Sequence, residues 1–191
     1  MKRASDIAFA CSCGAVSGRL LAASPRAGTH LACHCKDCRA AEIYAGQSDP
    51  SPDPVEIFQT TADRIKIDKG AENLAVFSFG EKNLLRWQAS CCGAPLCNTL
   101  RNPRFSFVGV NTKRLENTEA LGRIAAESFM PQSGGGTKHR NMGRFVYGML
   151  SRTAAAALSG RWKDTPFFDP ATRAPVATPR IVPLAERKAL L

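Results

Sequence analysis

A chain of 191 residues can bury one substantial core and is too short for two full-sized domains. Its formal charge of +10 favours acidic partners, carboxylate-bearing small molecules or nucleic acid, but Lys and Arg are scattered along the sequence in the manner of a solvated basic surface. No run approaches the roughly 20 apolar residues of a membrane span, and the basic Met1-Lys2-Arg3 leads into no signal-peptide core. A soluble, cytoplasmic protein is therefore expected.

In chain order, the first motif with chemistry in it is Cys11-Ser12-Cys13-Gly14, where Gly14 permits the tight turn of a metal knuckle. Partial apolar alternation over residues 15–21 predicts a strand leaving the knuckle. Residues 28–32 predict a second strand that runs into Cys33-His34-Cys35-Lys36-Asp37-Cys38-Arg39. Residues 40–45 read as a short helix, and Pro50, Pro52 and Pro54 mark a loop. Residues 55–59, 63–68 and 74–79 follow as short strands punctuated by Gly70 and Gly80, the pattern of a mainly β domain. A strand over 84–90 delivers the chain to Cys91-Cys92-Gly93-Ala94-Pro95-Leu96-Cys97, a second knuckle signal, and residues 104–110 read as one more strand.

Beyond Asn111 the character changes. Ser133-Gly134-Gly135-Gly136 reads as a flexible joint rather than an anion cradle, since its spacing fits neither a dinucleotide nor a P-loop fingerprint. Met142, Phe145, Val146, Met149 and Leu150 recur at helical spacing within 140–158, predicting an amphipathic helix whose apolar stripe docks on the β domain. Pro166, Pro170, Pro175, Pro179 and Pro183 rule out regular structure for most of the tail, with a short helix closing residues 184–191. The predicted organisation is a zinc-binding β domain over 1–112, a helical extension packed on it over 113–160, and a Pro-rich tail over 161–191.

The eight cysteines fall as C-x-C, C-x-C-x-x-C and C-C rather than at the spread spacings of a disulfide framework, which points to metal binding in a reducing compartment. In the central motif, Cys33 and Cys35 share one side of an extended segment, His34 points away, and a turn through Lys36-Asp37 returns Cys38. Three convergent thiolates leave one tetrahedral position open, the arrangement of catalytic rather than structural zinc. Cys11 and Cys13 make half of a second site, and Cys91 and Cys92 are its distant donors, with Cys97 in reserve. Neighbouring side chains on an extended strand face opposite ways, which favours Cys92 over Cys91. His34 and His139 read as non-ligands, and Trp87 and Trp162 as core or docking residues.

Taken together, Cys11-x-Cys13-Gly14, Cys33-His34-Cys35-x-x-Cys38-Arg39 and Arg86-Trp87 leading into Cys92-Gly93-x-x-Leu96 resemble the glutathione-dependent formaldehyde-activating enzyme family. The resemblance covers about residues 7–110. It implies a mainly β, Mss4-like zinc-binding fold, a catalytic zinc on Cys33, Cys35 and Cys38, and a structural zinc on Cys11, Cys13 and Cys92. It also implies a small thiol such as glutathione as partner and carbon–sulfur lyase chemistry on its adduct with an aldehyde. Ala89 stands where the family pattern has a further cysteine, so either Cys91 takes over the fourth ligand through a local bulge or the structural site is altered. The alternatives are a non-catalytic zinc-stabilised binding module and, more weakly, a nucleic-acid binder. Against the latter, aromatic residues make up only 7% of the chain and do not interleave with basic runs.

Overall fold

Alternation of buried and exposed side chains sets the way the first strand faces: in β1 (Ser5–Ala10) Ile7 and Phe9 are buried while Ala8 and Ala10 are exposed. The computed structural model describes residues 4–191, so Met1-Lys2-Arg3 lie outside the described residues. After β1 come β2 (Ser17–Ala23), β3 (Thr29–Cys33), helix α1 (Lys36–Tyr44), β4 (Val55–Thr60), β5 (Ile65–Lys69), β6 (Leu74–Ser78), β7 (Leu85–Ala89), β8 (Pro95–Thr99) and β9 (Val108–Asn111). The chain continues through β10 (Ala126–Pro131), β11 (Thr137–Arg140), helix α2 (Met142–Leu158), β12 (Arg180–Ile181) and helix α3 (Leu184–Lys188). The protein is mainly β.

Among the described residues the strands form two sheets, one of three strands ordered β1-β2-β5 and one of nine ordered β11-β10-β3-β4-β9-β8-β7-β6-β12. Neighbours are antiparallel except β10 on β3 and β12 on β6, which are parallel. Ile7, Phe9, Leu20 and Ile65 from the small sheet share one core with Phe58, Trp87, Val108 and Val110 from the large one. Val76 and Phe77 are adjacent on β6 and point to opposite faces. Val76 therefore joins that core, whereas Phe77 packs with Ala40, Ala41 and Tyr44 of α1 and with Val182 and Leu190 of the C-terminal segment.

Between residues 113 and 158 the structure departs from the sequence reading at three points. The 113–160 segment is α-helical only from Met142; before that it supplies short 3-10 turns and then β10 and β11, because β3 leaves an open edge that β10 covers. The Ser133-to-Gly136 joint is the tip of the β10–β11 hairpin, where Gly135 and Gly136 take φ of +82° and +81°. The face of α2 that docks is carried by half-buried Met142, Phe145 and Met149 and buried Thr153 and Ala156, whereas Val146 and Leu150 of the expected stripe face solvent. Arg152 anchors the helix by donating to Thr29 Oγ1 at 3.0 Å and to Gln59 Oε1.

The 161–191 tail is largely irregular, as its prolines require, yet it is part of the core. Phe167 and Phe168 are 1% and 3% exposed, and their rings lie 5.0 Å and 6.1 Å from that of Trp87. Trp87 also donates from Nε1 to Thr99 Oγ1 at 2.9 Å. No helix among the described residues is long and apolar enough to cross a membrane. Truncating the buried ring by Phe167→Ala is expected to destabilise the protein by about 3–5 kcal/mol. The exposed control Val176→Ala stays within about 0.5 kcal/mol, both read from urea unfolding midpoints.

Candidate metal centres

The central cluster is built at a junction between a strand and a helix. Cys33 ends β3, paired with Val55 of β4 and with Ser128 of β10. Cys35 is the N-cap of α1, in extended conformation (φ −72°, ψ 147°), and its Sγ accepts the backbone N–H of Cys38 at 3.3 Å. A capping residue bonds the third residue of the helix, so the cap that starts α1 also carries Cys38 around to face Cys33 and Cys35. The turn expected at Lys36-Asp37 is thus the first turn of a helix that begins four residues earlier than the sequence reading placed it. The three sulfurs lie within 4.8 Å of one another; Cys33 and Cys38 are buried and Cys35 is half-buried.

These thiols share charge. Hydrogen bonds from Cys35, then Cys38, hold the Cys33 thiol far below its usual range, against burial and with help from Ser128. Cys33 and Cys35, with burial, push Cys38 well above the usual range; Cys35 is raised as well, foremost by Cys33. The positive end of α1 favours negative charge on the cluster, and a metal ion would hold all three as thiolates and release the protons they carry.

The second cluster joins Cys11 and Cys13, between β1 and β2, to Cys91 and Cys92, between β7 and β8, again with all sulfurs within 4.8 Å. The Sγ separations are 3.6 Å for Cys11–Cys13, 3.8 Å for Cys11–Cys91 and 3.3 Å for Cys13–Cys91. A tetrahedral thiolate site with metal–sulfur bonds of ~2.3 Å has edges of about 3.8 Å, so this donor set fits a closed four-sulfur centre. Burial acts to raise the Cys11 thiol, but the Val16 N–H on its Sγ and the Cys13 contacts outweigh it and bring it to about 6. The neighbouring Cys13 thiol pushes Cys91 up to about 12.

Both adjacent cysteines face the cluster because they stand on a turn, not on an extended strand. Ala89 closes it: its N–H donates to Ala94 O at 3.0 Å, and its carbonyl accepts from Gly93 N–H at 2.8 Å. The Ala89 side chain is fully buried in the core, so the fourth sulfur comes from Cys91. Gly93 has φ of +71°, and a Cβ there would sit 2.3 Å from the carbonyl oxygen of Ala45, the C-cap of α1. One helix therefore touches both clusters, Cys35 at its start and the Cys91-Cys92 turn at its end.

Other residues singled out from the sequence fall outside the clusters. Cys97, the reserve ligand, lies on β8 opposite Trp87 and is buried, which raises its thiol well above the usual range. His34 and His139 join neither group of potential ligands; His139 Nδ1 instead accepts the Phe129 N–H at 3.2 Å. Arg39 is committed to Asp49, donating at 2.8 Å and 2.6 Å to its two oxygens. Ser128 and Phe129, which flank the central cluster, were not found from the sequence, because only the pairing of β10 with β3 brings them there. A cavity of about 670 Å³ opens on Cys33, His34 and Cys35.

Glu42, one turn beyond Cys38 on α1, is 2% exposed; its Oε1 accepts from Asn111 Nδ2 at 2.7 Å and its Oε2 has no partner. Burial raises its carboxyl above the ordinary 4.5, despite Lys113, Arg114 and Arg86 nearby.

A family profile described as "Family of unknown function (DUF6151)" matches residues 3–162. The chain belongs to that family. The DUF6151 match takes in all seven clustered cysteines, the β10–β11 hairpin and α2, and stops before Phe167. A solved crystal structure of a Rhodobacter sphaeroides protein, a structural genomics target, is 26% identical, with a match covering 61% of this chain and 96% of that chain and a TM-score of 0.43. No curated protein matches the chain.

Reconstituted under reducing conditions, the wild-type protein is expected to bind two Zn²⁺ per chain by elemental analysis. Cys33→Ser and Cys13→Ser should each bind one, and only Cys13→Ser should lower the unfolding midpoint strongly, because it releases a cross-link between segments far apart in sequence. For Glu42 the sign is that of a carboxyl raised on folding: it supports the fold below its unfolded pKa and loses that support as pH rises above it. Glu42→Gln should therefore be more stable than wild type at pH 7 in urea unfolding, with the gain shrinking toward pH 4.5.

Proposed function

We propose that this DUF6151 protein is a zinc protein on an Mss4-like fold, whose Cys33-Cys35-Cys38 centre activates a small thiol for carbon–sulfur bond chemistry with an aldehyde, the formaldehyde-activation class. The observation that carries this reading is the contrast between the two clusters. The Cys11-Cys13-Cys91-Cys92 cluster supplies four sulfurs within 4.8 Å of one another, whereas the central one supplies three beside a cavity of about 670 Å³. Four protein ligands are the mark of a structural site, and three with an accessible position that of a catalytic one. The mainly β architecture and the order of the cysteine motifs support the family resemblance. A reducing compartment, the cytoplasm, suits cysteines that are all free thiols.

A zinc ion held by the three sulfurs would draw the proton from a thiol entering the fourth position and so supply a nucleophile near neutral pH. The chain's own residues then have separable tasks. Ser128 donates to Cys33 and, with the positive end of α1, steadies negative charge on the donor set. The β3–α1 junction fixes the three sulfurs, and the cavity over Cys33 and Cys35 admits the aldehyde. In the addition, the sulfur electron pair forms the carbon–sulfur bond while the carbonyl π pair moves to oxygen. That oxygen takes up the proton the thiol lost, giving the S-hydroxymethyl adduct; the reverse direction cleaves the same bond.

Mixing zinc-loaded protein with glutathione and formaldehyde should form S-hydroxymethylglutathione about 100-fold faster than the spontaneous reaction, a barrier reduction of about 2.7 kcal/mol. Cys35→Ser keeps a helix-capping oxygen but removes a sulfur, and should return the rate to the spontaneous one. An identical rate with and without wild-type protein, followed by NMR, would remove the reading.

A further inference from the structure

The wall of the central cavity is held in an unusual backbone conformation. β10 runs parallel to β3 with Ser128 opposite Cys33, and the Ser128 carbonyl accepts the His34 N–H at 2.9 Å. Just beyond, the β10–β11 register slips between Glu127 and Met130, and Phe129 takes φ of +57°. Positive φ is an outlier for a bulky side chain. What holds it is β11: the Phe129 N–H donates to His139 Nδ1 at 3.2 Å, and the two rings meet edge-on at 4.9 Å and 76°.

The ring stands beside this bulge. Phe129 is 45% exposed and lines the cavity that also opens on Cys33 and Cys35. Pro50, Pro52, Val55 and Pro131 complete an apolar wall with it. A bulge beside a reactive site re-aims a side chain, and strained backbone of this kind concentrates at ligand clamps. The charged part of the lining, meanwhile, is balanced: Lys36 and Arg39 against Asp37 and Asp53, with Arg39 paired to Asp49 and Asp37 to Arg187. Such a lining offers little to the carboxylates of a charged thiol, and the wall offers an aromatic face to an apolar one.

We propose that Phe129, positioned by His139, is the specificity-determining residue of the central site and favours thiols that carry an aromatic group next to the sulfur-bearing carbon over small hydrophilic thiols. The inference rests on the thiol-activation reading above and narrows its substrate class. Glutathione satisfies the reaction; an arylmethyl thiol satisfies the wall as well.

The test uses Co²⁺ in place of zinc and reads thiol binding from the sulfur-to-cobalt charge-transfer absorption, without catalysis. Benzyl mercaptan should bind wild-type protein about tenfold more tightly than 2-mercaptoethanol, the worth of one good aromatic contact with its buried area. Phe129→Ala should bring the two affinities together. His139→Ala should do so too, and His139→Asn, which keeps an acceptor near the Phe129 N–H, should restore the preference. Phe129→Gly relieves the positive φ and should unfold at a temperature equal to or above wild type while losing the preference. Equal binding of the two thiols by wild type, or a preference that survives Phe129→Ala, overturns the proposal and leaves thiol activation standing. A Phe129→Gly protein that melts lower shows the ring to be a packing residue and overturns it as well. Absence of any thiol-induced band in wild type overturns thiol activation and this inference together.

Discussion

The first turn of α1 is held by a sulfur. Cys35 Sγ accepts the Cys38 N–H at 3.3 Å in the position where an oxygen of Ser, Thr or Asp commonly caps a helix. The same atom belongs to the group of three thiols within 4.8 Å, so the cap of the helix and the candidate metal centre share one sulfur. Because β3 brings Cys33 to that point and α1 carries Cys38 away from it, the centre depends on both elements keeping their place. β3 is held by β4 on one side and β10 on the other. α1 is held by Ala40, Ala41 and Tyr44 against Phe77 and Phe79.

α1 also acts as a strut between the two cysteine clusters. Its C-cap, Ala45, presents a carbonyl so close to Gly93 that no side chain fits between them, and Gly93 closes the turn bearing Cys91 and Cys92. On the other side of that cluster, Arg114 donates from Nη1 to Ser12 Oγ at 2.7 Å and from Nη2 to Gln47 Oε1 at 3.4 Å. The knuckle after β1 and the loop after α1 are thereby tied to one guanidinium. A metal in the four-sulfur cluster would cross-link segments about 80 residues apart, where closing the loop is costly in chain entropy. A metal there would thus serve the scaffold, and α1 spans from that cluster, at Ala45 beside Gly93, to the central one, at Cys35.

The C-terminal third of the chain completes the molecule in two ways that its composition conceals. β10 covers the open edge of β3 and, beside its bulge, places Phe129 at the cavity that also opens on Cys33 and Cys35. The proline-rich tail sends Phe167 and Phe168 onto Trp87, where a strand from the middle of the sequence needs a cover. Prolines forbid hydrogen-bonded ladders but not burial, which is why a segment with little regular structure still belongs to the core.

The sequence by itself determined the convergence of Cys33, Cys35 and Cys38, the β character and the helical period of α2. Cysteines at C-x-C and C-x-C-x-x-C spacing carry their meaning locally, because one turn of backbone suffices to bring them together; short alternating strands and the 3.6-residue repeat are equally local. Only the tertiary structure decided that Cys91 and Cys92 face the same way, that Ala89 closes their turn, that Val146 and Leu150 lie on the outer side of α2, and that Ser128 and Phe129 border the central site. Each of those outcomes depends on a partner distant in sequence: Ala45 against Gly93, the sheet beneath α2, β3 beside β10. Spacing reports what one stretch of backbone can reach, whereas the direction of a side chain is set by what packs against it.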